Sequence, residues 1–104
     1  IMYLTTLRKL LNNNGAQRFL SKPYGLELLF VLDKCKKDGS DNGIEDTFDL
    51  ILFNKPRRKA FGIFVDLLWK KSYLIKSKSK IKASKSILRL SNEVFEVFKK
   101  FKDS

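Results

Sequence analysis

The chain has 104 residues, 43% of them hydrophobic, with nine Phe, one Trp, one Cys and no His, and its net charge is +11. That size suits one small domain around one core, and lacking His it has neither the commonest general base nor the commonest transition-metal ligand. The lone Cys35 allows no internal disulfide and no structural zinc site, so we expect no enzyme, no metal and no cofactor.

The charge is one-sided. Residues 1–54 carry seven bases and seven acids, whereas residues 55–104 carry fifteen bases and four acids. A field so directional attracts a polyanion and fixes which surface meets it. No apolar run reaches the roughly 18–20 residues of a membrane span, and Ile1-Met2-Tyr3-Leu4 lacks the basic and apolar segments of an export signal. A cytoplasmic, nucleoid-associated protein with no membrane partner is the expectation.

In chain order, Thr5 or Thr6 caps a first helix bearing Leu7, Leu10 and Leu11, which stops at Asn12-Asn13-Asn14-Gly15. A short helix follows over 16–20. Ser21-Lys22-Pro23 reads as a serine cap with proline in the first turn of a buried central helix over 24–37. Asp38 to Gly43 is loop. Its Asp38, Ser40, Asn42, Gly43 and Asp49 partly match a calcium-loop spacing, but Asp49 stands where a bidentate glutamate is needed, so the segment reads as a turn. Glu45-Asp46-Thr47 opens another short helix over 45–53. Asn54-Lys55-Pro56 breaks it, and a further helix runs from Pro56 to Lys71.

That helix starts with Arg57-Arg58-Lys59, the wrong end for cations in the helix dipole. Helix stability does not select bases there, so they read as ligand contacts. Beyond it the period changes from 3.6 to 2: Lys76, Lys78, Lys80 and Lys82 alternate with Ile75, Ser77, Ser79 and Ile81, which sends the lysines to one face of a strand. A turn is expected around 80–84, and 86–90 returns as a second strand. Ser91 caps a last helix with Glu93 in its first turn and an apolar stripe of Phe95, Phe98 and Phe101. Trp69 and Tyr73 can stack on a base, but their place at a helix end favours the core, and Cys35 reads as a small buried hydrophobe.

Short helix, break, basic helix, basic hairpin and closing helix follow the order of a winged helix-turn-helix. Phe64-Val65-Asp66-Leu67-Leu68-Trp69-Lys70-Lys71-Ser72-Tyr73-Leu74-Ile75 resembles the end of a recognition helix entering the first wing strand of MarR-like and archaeal or viral winged-helix regulators. Ile87 to Glu93 is similar to their second wing strand entering a final helix, and Leu20 to Leu29 to the start of their first core helix. The likeness covers about residues 16–103, departing at Ser72, where these proteins carry a helix-ending glycine. It implies an α+β, mainly α, winged helix-turn-helix in one domain: an N-terminal helix over 1–15, the core over 16–90 and a C-terminal helix over 91–104.

It also implies a double-stranded DNA partner, with the 56–71 helix in the major groove and the 75–89 wing on backbone or minor groove. The expected contacts are Lys55, Arg57, Arg58, Lys59, Lys76, Lys78, Lys80, Lys82, Lys85 and Arg89. Arg57 and Arg58 are placed against base edges, because a guanidinium pairs bidentately with guanine. A core this small has little room for both terminal apolar rows, so a homodimer through Leu4, Leu7, Leu11, Phe95, Phe98 and Phe101 is expected. The functional expectation is a sequence-specific transcriptional regulator. Its rivals are a plasmid or phage centromere-binding or replication protein of the same fold, and a winged-helix module for protein or RNA.

Overall fold

The computed structural model describes residues 2–82 and 84–103. Within them it has six helices and one two-stranded antiparallel sheet, an α+β arrangement that is mainly α. Helices α1 (Met2–Asn12) and α2 (Asn14–Leu20) form the N-terminal pair, and α3 (Gly25–Asp38) runs through the centre. Helices α4 (Ile44–Leu50) and α5 (Arg58–Lys70) follow, then β1 (Leu74–Lys78), β2 (Ser86–Leu90) and α6 (Asn92–Lys102). The expected turn over 80–84 includes Ala83, and the terminal helices were expected to include Ile1 and Ser104; these three positions lie outside the described residues.

Local chemistry accounts for the boundaries. Asn13 starts α2, its side-chain oxygen accepting the Ala16 amide at 2.9 Å, the ordinary role of Asn at a helix start. Ser21, expected to cap the third helix, instead closes the second: its hydroxyl donates to the Arg18 carbonyl at 2.6 Å. Lys22-Pro23-Tyr24 then turns the chain, with the Gly25 amide on the Lys22 carbonyl at 2.9 Å. At Gly25 a Cβ would fall 1.7 Å from the Phe19 carbonyl oxygen, so only glycine lets α2 and α3 approach this closely.

Helix α4 ends at Leu50, three residues before the expected stop at Phe53. The Glu27 carboxylate of α3 accepts the amides of Leu52 and Phe53 at 2.9 and 3.0 Å. A charge-assisted acceptor of this kind outcompetes another helical turn. Asn54 then takes a left-handed conformation, φ 52°, and Arg57, extended, precedes α5.

Helices α3 and α5 end alike, with one difference. Gly39 after α3 has φ 66° and Ser72 after α5 has φ 63°. The Tyr73 amide bonds back to the Leu68 carbonyl and the Ser72 amide to that of Trp69, both at 3.0 Å, which is the Schellman pattern. Serine pays a steric penalty there that glycine avoids. Ser72→Gly is therefore expected to raise stability by up to about 1 kcal/mol in a denaturant-midpoint comparison. A lower midpoint would contradict the strain.

The core is continuous. Phe19, Leu28, Leu29, Leu32, Phe61, Leu68, Leu74, Leu90 and Phe98 are fully buried, joining every helix layer to the base of the hairpin. Ser91 caps α6 as expected, accepting the Val94 amide at 3.3 Å. Cys35 is buried, and that burial pushes its thiol pKa above the usual value. No helix among the described residues is long and apolar enough to cross a membrane.

Candidate nucleic-acid interface

Phe61, Phe64, Val65 and Leu68 turn one side of α5 into the core. The 3.6-residue period therefore puts Lys59, Ile63, Asp66 and Lys70 on the outward side. Arg57, immediately before the helix, is exposed. No acid lies in the first turn of α5; α4 supplies one. The Arg58 Nε donates to Glu45 Oε1 at 2.6 Å, and its Nη2 approaches the same oxygen. This hydrogen bond holds the Glu45 carboxyl below its usual pKa and raises that of Arg58. Arg58 folds back over Gly62, where a Cβ would stand 2.9 Å from its Nη1.

The hairpin pairs Leu74 with Leu90, Lys76 with Leu88 and Lys78 with Ser86. Opposed residues share a face, so Lys76 and Lys78 extend the same face that carries Leu74, Leu88 and Leu90 into the core. That face looks back towards α4 and α5. The Lys76 ammonium lies 4.3 Å from the Trp69 ring centroid, and Lys76 shares an open cleft of about 420 Å³ with Arg58, Lys59, Gly62 and Ile63. Trp69, expected in the core, is 44% exposed and serves as a platform for this lysine. Tyr73 packs against the core.

The lysine alternation does not continue as strand to Lys82. β1 stops at Lys78, and Ser79 turns inward to donate to Asp41 Oδ1 at 2.7 Å. Its hydroxyl oxygen accepts the Ile81 and Lys82 amides, each at 3.1 Å. Lys80 and Lys82 are consequently exposed in the connecting loop. Lys85 pins the hairpin to the α3–α4 loop and to the first turn of α4, 3.3 Å from Asp41 and 2.7 Å from Asp46.

These contacts hold both carboxyls below their usual pKa, Asp41 chiefly through Ser79 and Asp46 chiefly through Lys85. A depressed carboxyl stabilises above its unfolded pKa, and that stability is lost as pH falls through the folded one. Below about pH 4, the protection of the Ser79, Ile81 and Lys82 amides, measured against their intrinsic exchange rates at each pH, is expected to fall before that of the core. Protection that stays constant down to global unfolding would contradict the anchor.

Arg89, expected on the ligand, faces the other way. Its guanidinium donates to the Asn42 side-chain oxygen, the Ser40 carbonyl and, at 2.9 Å, the Leu88 carbonyl. Buried Asn42 bonds Thr47 Oγ1 at 3.0 Å and the Leu88 carbonyl at 3.2 Å, and its own carbonyl accepts the Leu88 amide at 3.0 Å. Asn42 thereby ties the α3–α4 loop to β2. The loop composition gives no sign of this.

The ten expected cations divide cleanly. Arg58, Lys85 and Arg89 are half-buried and engaged with partners inside the chain, whereas Lys55, Arg57, Lys59, Lys76, Lys78, Lys80 and Lys82 are exposed. Lys55 sits over the Phe48 ring, 4.4 Å from its centroid. The acids nearest this surface are paired: Glu45 with Arg58, Asp41 and Asp46 with Lys85, and Asp66 with Lys70 at 3.1 Å.

The apolar residues expected at a dimer interface are dispersed. Leu4 and Leu11 are exposed and Leu7 half-buried, while Phe95 and Phe101 pack partly buried on the core. Phe98 is fully buried inside this chain. Leu52 and Phe53, which the sequence reading placed inside a helix, are each 74% exposed on the α4–α5 connection. Comparison with protein-family models, characterised proteins and solved structures finds no match.

Proposed function

We propose that this chain is a winged-helix protein that binds double-stranded DNA and regulates transcription, with α5 in the major groove and the hairpin along the flanking backbone or minor groove. One observation carries the reading. Exposed Lys59 of α5 and Lys76 of the hairpin line a common cleft, while the acids around it are neutralised by other cations, Arg58, Lys70 and Lys85. A basic face with no ligand would have no reason to keep those two sets apart. The element order supports the winged-helix form.

Within this reading Arg57 takes the base-edge role, because Arg58 is held by Glu45 and acts through positioning. Lys55 and Lys59 meet phosphates, and Lys78 and Lys80 follow the backbone. Two copies associate through the exposed Leu4 and Leu11 of α1, setting two α5 helices about 34 Å apart, one turn of DNA.

The test is filter binding of a selected duplex, the matching RNA and single-base variants. Arg57→Ala is expected to cost about 1–3 kcal/mol on the selected duplex and to flatten preference at particular base pairs. Lys78→Ala with Lys80→Ala is expected to weaken all duplexes alike. Tighter binding to RNA than to duplex DNA would overturn the proposal.

A further inference from the structure

We infer that Ile63 is a specificity-determining residue that reads the C5-methyl groups of pyrimidines, those of thymine above all, from the major groove. The inference rests on the duplex-binding reading of α5. Ile63 stands in the middle of the outward side of that helix and is 64% exposed. Its neighbours on that side are Lys59 one turn before it and the Asp66–Lys70 ion pair one turn after it. Lys76 lines the same cleft. Beside it Gly62 presents no side chain, and the Arg58 guanidinium occupies the space a Cβ would take there.

Single exposed aliphatic residues are common on protein surfaces. This one lies where the flanking cations already draw in a phosphate backbone, about 6 Å along the helix axis beyond Lys59. The base edges offered there are hydrogen-bonding groups with one apolar exception, the thymine methyl. Isoleucine suits that contact, because its β-branched side chain is held to essentially one χ1 rotamer on a helix and loses little freedom on burial. Each methyl group removed from water against it is worth about a fourfold change in affinity.

Four short duplexes test this. One pair is alternating A·T, made with thymine or with deoxyuridine. The other is alternating G·C, made with cytosine or with 5-methylcytosine. Each pair differs only by the C5-methyl. The unmodified protein is expected to prefer the methylated member of both pairs, about fourfold or more. Ile63→Ala should bind the two members of each pair equally, with an unchanged salt slope because its phosphate contacts are intact. Equal binding of both members by the unmodified protein, or a preference that survives in Ile63→Ala, would overturn the inference while leaving duplex binding in place. Binding to none of the four would overturn the duplex reading itself, and this inference with it.

Discussion

Replacing Phe98 with alanine should destabilise the fold by about 3–5 kcal/mol, the range for emptying a fully packed aromatic site. Phe98 has no exposed surface. Its ring meets the edge of Phe30 at 4.9 Å between centroids and lies 6.2 Å from Phe101. The Lys102 ammonium, which also pairs with the buried carboxylate of Asp33, lies 5.7 Å from the same ring. Alanine would open a void where α6 closes on α3 and would loosen the packing around that ion pair. Domains of this size are stable by about 5–15 kcal/mol, so the variant is expected to sit at or near the edge of unfolding. Urea unfolding followed by circular dichroism measures it. The paired variant Leu4→Ser and Leu11→Ser should instead keep its stability and lose only self-association. A stable Phe98→Ala protein that merely dissociates would return Phe98 to the interface.

This contrast also shows what the sequence could and could not convey. The periodicity of Val94, Phe95, Val97, Phe98 and Phe101 marks a helix with an apolar stripe. It does not say whether another copy or the same chain covers that stripe. Helices with strong local signals were legible: α6 begins at its serine cap, α5 follows its apolar period, and α3 follows its apolar run, though Leu26 and Phe30 on it are exposed. Boundaries set by distant partners were not. The end of α4 depends on Glu27, twenty-five residues from Leu52, and the end of β1 depends on Ser79 reaching Asp41, thirty-eight residues away. Ser21 was ambiguous for another reason, since a serine between two helices can bond to either.

The candidate site divides along the same line. The lysine alternation put Lys76 and Lys78 on one face, because β1 is regular there, but overran the strand at Lys80 and Lys82. Charge alone made Arg58, Lys85 and Arg89 look equivalent to the other cations. Their partners, Glu45, Asp41, Asp46 and Asn42, are brought to them only by the tertiary fold. Ile63 was within reach: the phase set by Phe61, Phe64, Val65 and Leu68 already points it outward. That Lys76 lines the same cleft is something the sequence does not place.

The measurement that tests the central claim most directly is a salt titration of duplex binding. If the six exposed lysines Lys55, Lys59, Lys76, Lys78, Lys80 and Lys82 each neutralise one phosphate, with Arg57 on base edges, log affinity should fall against log salt with a slope of about −5. Between about 50 and 200 mM salt the affinity would then drop about 10³- to 10⁴-fold. Removing Lys78 and Lys80 together should make the slope shallower by about two. A flat response, with duplex affinity unchanged across that range, would contradict the assignment of this face to DNA.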